Sequence, residues 1–386
     1  MNLGRRTLNE EENIIPTFFG CQSDENNTRG RKISYNHWYK DDRKVANHII
    51  RHYHNICSGP LAPVLNKETA NIPKQIHFIW FGPKPIPQYT DLYAFPRDGE
   101  QKFEQCKKCW NETTRSWKIH HSPDDGWEFK LWDEDEMKKF HEEVNPRSKE
   151  MIILRNAYSH ALDIKNYGMA SDIARLEILY VYGGLYVDVD YYCFRSFDDL
   201  HQLYDFYCGA SNTGVIEFNN GLMGCIKYHI LIYEMIKSIS TWFSEFQLEK
   251  NDRDLTLRDL KHDAPSFFVS SFLDDQSLAS LRMAQQGFSA TQVIENTGPG
   301  LLTRSVLKLF HKHECLDLGS KVCGQHLDKI MICPAITFHA LPNNERQQLD
   351  FNLVRGRKNI EKIYKYVDPV STRALHLWSC SWQNTS

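Results

Sequence analysis

Four charged residues in one short stretch have the types and spacing for chemistry: Asp172 and Arg175, three apart, then Asp188 and Asp190, two apart. Two carboxylates held on a rigid strand end suit a hard divalent cation, Mg²⁺ or Mn²⁺, whose remaining positions go to water and phosphate oxygens. By itself an Asp-x-Asp tripeptide is common, and a solvated turn is its plainer reading. On a helix the three-residue spacing sets Asp172 beside Arg175. A surface ion pair of this kind is worth under about 1 kcal/mol, so the pair gains meaning only if the chain carries it to the aspartates.

The elements between them do that. Ile173, Leu176, Leu179 and Tyr180 recur at helical spacing, Gly183-Gly184 supplies a stop that tolerates positive φ, and Leu185 to Val189 is an apolar, β-branched strand. With a period of two, Tyr186, Asp188 and Asp190 are expected on one strand face. Elsewhere Ile72 to Gly82 reads as a short buried strand closing on a glycine turn, and Trp127 to Trp132 as a second. Asp133 to Glu136 opens a helix with acidic residues near its positive end. Phe206 to Ala210 is a further strand, and Ile216 to Gly224 a strand and turn in which Asn219-Asn220-Gly221 has hairpin chemistry. An amphipathic helix from Ile230 leads into a polar insertion, 248–263, of the sort that carries partner specificity.

At 386 residues with 41% apolar and 12% aromatic content, the chain can bury a large core. A formal net charge of −3 excludes a nucleic-acid binder that depends on a broad basic field. The eleven cysteines are scattered through apolar segments, which favours free thiols and a reducing compartment. Cys106 and Cys109 form a Cys-x-x-Cys with no second pair to complete a zinc site. No apolar leader and no run long enough to span a bilayer are present. Residues 1–70 are read as a helical appendage, with His48 to Tyr53 helical, and 71–386 as the catalytic domain. Basic Arg29, Arg31, Lys32, Arg43 and Lys44 offer either peripheral membrane contact or a solvated helix face.

Ser171-Asp172-x-x-Arg175, Gly183-Gly184 and Tyr186-x-Asp188-x-Asp190 together resemble the DXD-containing sugar-binding region of glycosyltransferase family 32, and are similar to the glucosyltransferase domains of the large clostridial toxins. Ile72 to Gly82, Thr297-Gly298-Pro299-Gly300 and Ala374 to Trp382 extend the resemblance over most of the chain. It implies an α/β fold of the glycosyltransferase-A type, a mixed central sheet flanked by helices that binds a nucleotide-sugar. It implies a metal-dependent, retaining hexosyltransferase that moves a sugar from a UDP- or GDP-sugar to a glycan, lipid or protein. Trp80, next to Ile79, would stack on the base. Asp188 would bond the ribose and sugar, and with Asp190 and His376 hold Mn²⁺ or Mg²⁺. Asp172 and Arg175 would hold sugar hydroxyls, with Ser171 and Tyr186 beside them and Asn220 or Asn219 facing the sugar. Ser379 and Trp382, with Trp378 as the second choice, would cover the diphosphate as a C-terminal lid. A cytoplasmic enzyme, or a bacterial effector delivered into a host cell, fits the missing anchor. The rivals are a metal-dependent phosphohydrolase, disfavoured because Tyr191-Tyr192 follows the aspartates, and an inactive sugar-nucleotide-binding adaptor, disfavoured by the intact charged residues.

Overall fold

The structure is a computed structural model that describes residues 18–20, 40–58, 71–83, 112–213, 216–251, 290–315, 329–343 and 366–378. Its strands are β1 (Gln75–Ile79), β2 (Glu128–Trp132), β3 (Gly184–Val187), β4 (Tyr191–Cys193), β5 (Phe206–Ala210), β6 (Phe218–Cys225), β7 (Ile330–Cys333) and β8 (Ala374–His376). The helices are α1 (Lys40–Ser58), α2 (Glu112–His120), α3 (Glu134–Glu143), α4 (Lys149–Asp163), α5 (Tyr167–Tyr182), α6 (Asp198–Leu203), α7 (Ile230–Asn251), α8 (Ala290–Asn296), α9 (Pro299–Cys315) and α10 (Ala335–Phe338). Six strands form one sheet in the order β2-β1-β3-β6-β5-β7, and β4 pairs with β8 in a separate ribbon. Within the sheet only β6 runs against its neighbours. This is the mixed central sheet flanked by helices that the resemblance implies.

Strand alternation divides the core. Ile79, Trp132 and Tyr186 join Ile173, Leu176 and Met235 of α5 and α7 on one face. On the other, Ile76, Phe78, Leu185 and Val187 pack against Trp117, Phe197 and Phe338. Helix α5 starts where the Asn166 side chain accepts from Met169 N–H, and Met169, Ala170 and residues 172–179 are all buried. A helix enclosed in this way can carry charge only where partners meet it. It ends at Gly183, φ 64°, where a Cβ would come within 2.8 Å of Lys227 N. That tight return feeds β3 directly between β1 and β6.

Two local expectations need correction. The strand leaving Gly184 stops at Val187, and Asp188 to Tyr191 is a turn closed by Tyr191 N–H to Asp188 O at 3.2 Å. Asp188 and Asp190 therefore stand on a turn that leads into β4, not on a continuous strand face. Asn219-Asn220-Gly221 makes no hairpin: β6 runs unbroken through it, because strands pair on both sides. Opposite β5 the register jumps from Cys208↔Met223 to Gly209↔Asn219, so 220–222 bulge away from that partner. Bulges beside active sites commonly re-aim backbone groups.

The remaining expected elements fall where the pattern put them. Asp133 caps α3 through its side chain, accepting from Glu136 N–H. Helix α1 contains His48 to Tyr53 and packs on the sheet edge, with Ile49 and Ile50 in the main core and the His52 ring 2.9 Å from Ile330 O. Arg29, Arg31, Lys32, Cys106, Cys109, Ser379, Trp382 and the insertion beyond Asn251 lie outside the described residues. No helix among the described residues is long and apolar enough to cross a membrane.

Candidate active site

The carboxyl ends of β1, β2 and β3 and the start of β6 meet at one edge of the sheet. Asp188 N–H donates to Gly221 O at 2.7 Å, which ties the turn after β3 to the bulge of β6. Tyr186 Oη donates to Asp188 Oδ1 at 2.6 Å, and Arg175 Nη2 lies 3.5 Å from the same oxygen. Asp188 keeps 32% of its side chain exposed, whereas Asp190 is 6% exposed. Desolvation raises the Asp188 carboxyl above the ordinary carboxylate range, the Asp190 charge adds to this, and Arg175 opposes it. Gly221 is required by close approach: a Cβ there would lie 2.5 Å from Asp188 Oδ2.

Asp172 and Arg175 form a buried pair, not the exposed bridge that spacing alone allows. Arg175 Nη2 meets Asp172 Oδ1 at 2.9 Å, Nη1 donates to Asn220 O at 2.9 Å, and Nε donates to Ser171 O at 3.3 Å. Its guanidinium also lies over the Tyr186 ring, 4.4 Å from the centroid. Asp172 Oδ1 accepts from Asn220 Nδ2 at 2.9 Å, and Oδ2 from Thr297 Oγ1 at 3.0 Å. A carboxylate offers about four acceptor positions and a guanidinium five N–H groups. On this accounting one acceptor position of Asp172 is left, and one Arg175 N–H once the 3.5 Å approach of Nη2 to Asp188 is counted. Burial raises the Asp172 carboxyl, while Arg175 pulls it down. Burial works against the Arg175 charge, but Tyr186, Asp172 and Asp188 raise its pKa, so it stays protonated.

The C-terminal residues arrive through the β4–β8 ribbon. Its register sets Tyr191 opposite His376, and Leu377 N–H donates to Asp190 O at 3.0 Å. His376 Nε2 lies 3.3 Å from Asp190 Oδ1. One ligand atom each from Asp188, Asp190 and His376 lies within 4.8 Å of the others. His376 Nδ1 has no hydrogen-bond partner among the described residues. Two carboxylates and an imidazole at this spacing fit a divalent cation.

The other expected positions divide. Trp80 is half-buried at the end of β1, its backbone N–H donating to Trp132 O at 2.9 Å and its side chain packed against the second core cluster. Ile79 is 4% exposed and packs in the main core. Tyr186 is fully buried and Ser171 half-buried, both beside Arg175. Asn219 and Asn220 each have a separate place: Asn220 bonds Asp172, while Asn219 Oδ1 accepts from Gly221 N–H at 2.7 Å. Thr297, within the Thr-Gly-Pro segment, gains a contact to Asp172 that no local pattern announced. His339 also enters the site's surroundings, and nothing in its sequence neighbourhood points there.

A mixed sheet flanked by helices, with paired aspartates on the turn after β3, is the arrangement that the sequence resemblance implies. Residues 107–207 match the family described as the glycosyltransferase sugar-binding region containing the DXD motif, so the chain carries that region. It is similar to inositol phosphoceramide mannosyltransferase 1 of Schizosaccharomyces pombe, 25% identical over 173 residues that cover 45% of this chain and 44% of the relative. It is also similar to subversion of eukaryotic traffic protein A of Legionella pneumophila, 28% identical over 192 residues that cover 45% of this chain and 26% of that protein. The matches thus span less than half the length of these curated relatives. Among solved structures, the catalytic domain of alpha-toxin from Clostridium novyi aligns over 95% of this chain and 97% of its own, with a TM-score of 0.38 and 12% identity.

Proposed function

We propose that the chain is a metal-dependent, retaining glycosyltransferase that moves a hexosyl unit from a UDP- or GDP-sugar to a glycan, lipid or protein acceptor. The observation that carries this reading is the convergence of Asp188, Asp190 and His376 within 4.8 Å, at the strand ends where such sheets bind nucleotides. Asp188, Asp190 and His376 would hold the cation, and Mn²⁺ suits an imidazole-containing set better than Mg²⁺. When bound, the cation stabilises the negative charge that grows on the departing diphosphate.

The chain's own residues supply the rest. Arg175, held by Asp172 and Asn220, fixes Asp188 from the side and offers its remaining N–H to a sugar hydroxyl. Asp172 has one acceptor position left for another. Trp80, half-buried at the end of β1, would stack on the base. The retaining outcome comes with the family resemblance, and no enzyme nucleophile is assigned. The scattered thiols support a reducing compartment, and the Legionella relative supports an effector. The lipid in the yeast relative's name supports a sphingolipid-like acceptor as one arm of the assay.

A panel of UDP- and GDP-sugars, with Mn²⁺, Mg²⁺ or EDTA, tests the reading by release of free nucleoside diphosphate. Release that depends on metal and on one donor is expected. Phosphate release from simple esters without nucleoside diphosphate would favour the phosphohydrolase. Tight donor binding with no turnover under any condition would favour the adaptor.

A further inference from the structure

Behind the cluster that would hold the cation stands a set of buried side chains that leaves the donor positions alone. Tyr191 and His376 face each other across the β4–β8 ribbon, with ring centroids 4.4 Å apart and planes at 4°. Trp378 packs on the same imidazole at 4.2 Å and donates its Nε1–H to Leu341 O at 2.8 Å. The Tyr191 hydroxyl is anchored twice, 2.7 Å from His339 Nε2 and 3.2 Å from Asn219 Oδ1. Tyr191 and His339 are fully buried, and Asn219 is 6% exposed.

An imidazole ligand is ordinarily oriented by a hydrogen bond from its second nitrogen to a carbonyl or carboxylate. His376 lacks that bond: Nε2 faces Asp190, itself part of the cluster, and Nδ1 has no partner among the described residues. Its orientation must come from the rings on either side. A free aromatic contact, worth about 0.5–1.5 kcal/mol, fixes a plane but lets the rings slide. Pinning the far end of Tyr191 removes the slide, and the ribbon register removes the choice of face. We propose that the hydrogen-bonded chain Asn219–Tyr191–His339 is a positioning device that holds the His376 imidazole in ligating orientation, so that it sets the preference of the site for Mn²⁺ over Mg²⁺. None of its members belongs to the Asp188, Asp190 and His376 cluster. The inference rests on the metal-dependent reading above.

Tyr191→Phe removes the anchor and keeps the stacked ring. His339→Gln is the second variant should the first not fold. Mn²⁺ binding would be followed by electron paramagnetic resonance of the free ion in the presence of UDP, and Mg²⁺ binding by its competition. Each variant is expected to weaken Mn²⁺ binding by about tenfold, the lower range for residues that orient ligands, and to leave Mg²⁺ affinity within about twofold. The Mn²⁺ to Mg²⁺ ratio then falls, a change that general loosening of the fold would not produce. Folded variants with an unchanged ratio would overturn the positioning role while leaving the metal site standing. A folded wild-type protein that binds neither ion with UDP would instead overturn the metal-dependent reading on which the proposal depends.

Discussion

Asp190 is 6% exposed, and its backbone and side chain both meet the C-terminal strand. Replacing its charge would remove one of the proposed cation ligands at almost constant volume. Asp190→Asn is therefore expected to lower metal-dependent turnover by about 10²–10³-fold, comparable to the loss of one charge-stabilising group, with an unchanged thermal melt. Turnover of the wild-type protein that persists in EDTA would refute the metal dependence behind this. Gly221 tests the same pocket by steric means. Gly221→Ala pushes a methyl group against Asp188 Oδ2, and is expected to impair Mn²⁺ and donor binding more than stability. Gly224→Ala in the same strand would instead collide with the Tyr207 ring in the core and lower the melting temperature. Comparing melts and UDP binding for the two variants separates the site from the scaffold. Trp80→Ala should weaken nucleotide binding by about 1–3 kcal/mol if the ring stacks on the base; an unchanged dissociation constant would leave Trp80 a core residue.

At the scale of elements, the tail is a packed strand before it is anything else. Leu375, Leu377 and Trp378 are buried together with Ala340 and Leu341. Ending the chain at Leu375 would remove the Trp378 side chain from this cluster, a loss of about 3–5 kcal/mol, so stability as well as turnover should fall. Only residues beyond Trp378 remain for the lid role. A chain ending at Trp378 is expected to keep its melting temperature and bind UDP more weakly; equal affinity by calorimetry would refute the lid. A different junction joins α3, α4 and α5. There Glu177, 2% exposed, takes Arg155 Nε at 2.7 Å and His141 Nε2 at 3.0 Å. Arg155→Ala would leave that buried carboxylate with His141 and without its guanidinium, and an expected loss of about 3–5 kcal/mol can be read from denaturant melts.

For the whole molecule, three buried histidines contribute to the response to acid. His77 lies between Gly183 O at 3.0 Å and Trp132 Nε1–H at 3.2 Å. His121 lies between Trp117 O at 2.9 Å and Phe197 N–H at 3.0 Å. His201 bonds Ile72 O at 3.1 Å and the Tyr207 hydroxyl at 2.9 Å. In the first two, one nitrogen must donate and the other accept, which demands the neutral ring. Burial lowers the pKa of His77 and His121 to about 4, and of His201 to about 3. The unfolded chain binds these protons near pH 6.5 while the folded chain resists them, so stability should fall as pH drops from about 6.5 toward 4. Each histidine contributes a loss of about 1–2 kcal/mol at pH 5, which denaturant midpoints at pH 7 and pH 5 would measure. A midpoint independent of pH over that interval would contradict the neutral assignment.

Much of the candidate site was legible in the sequence because its chemistry is local. Asp172 and Arg175 are neighbours by helical spacing, Gly183-Gly184 turns the chain by backbone freedom, and Asp188 and Asp190 follow within a few residues. The mixed sheet flanked by helices was legible through the motif resemblance. Other features depend on partners distant in the chain. Asn219-Asn220-Gly221 has the residues of a turn, yet it runs as a bulged strand whose backbone is met by the Arg175 side chain at Asn220 O, by the Asn219 side chain at Gly221 N–H and by Asp188 N–H at Gly221 O. Asp188 ends the strand because the chain turns there, its carbonyl accepting from Tyr191 N–H. Thr297 reaches Asp172, and His339 reaches Tyr191, across 125 and 148 residues. The sequence by itself determined which residues could ligate, pair and turn; tertiary structure decided which of them meet, since burial leaves each polar group to whichever partner the packed chain brings within reach.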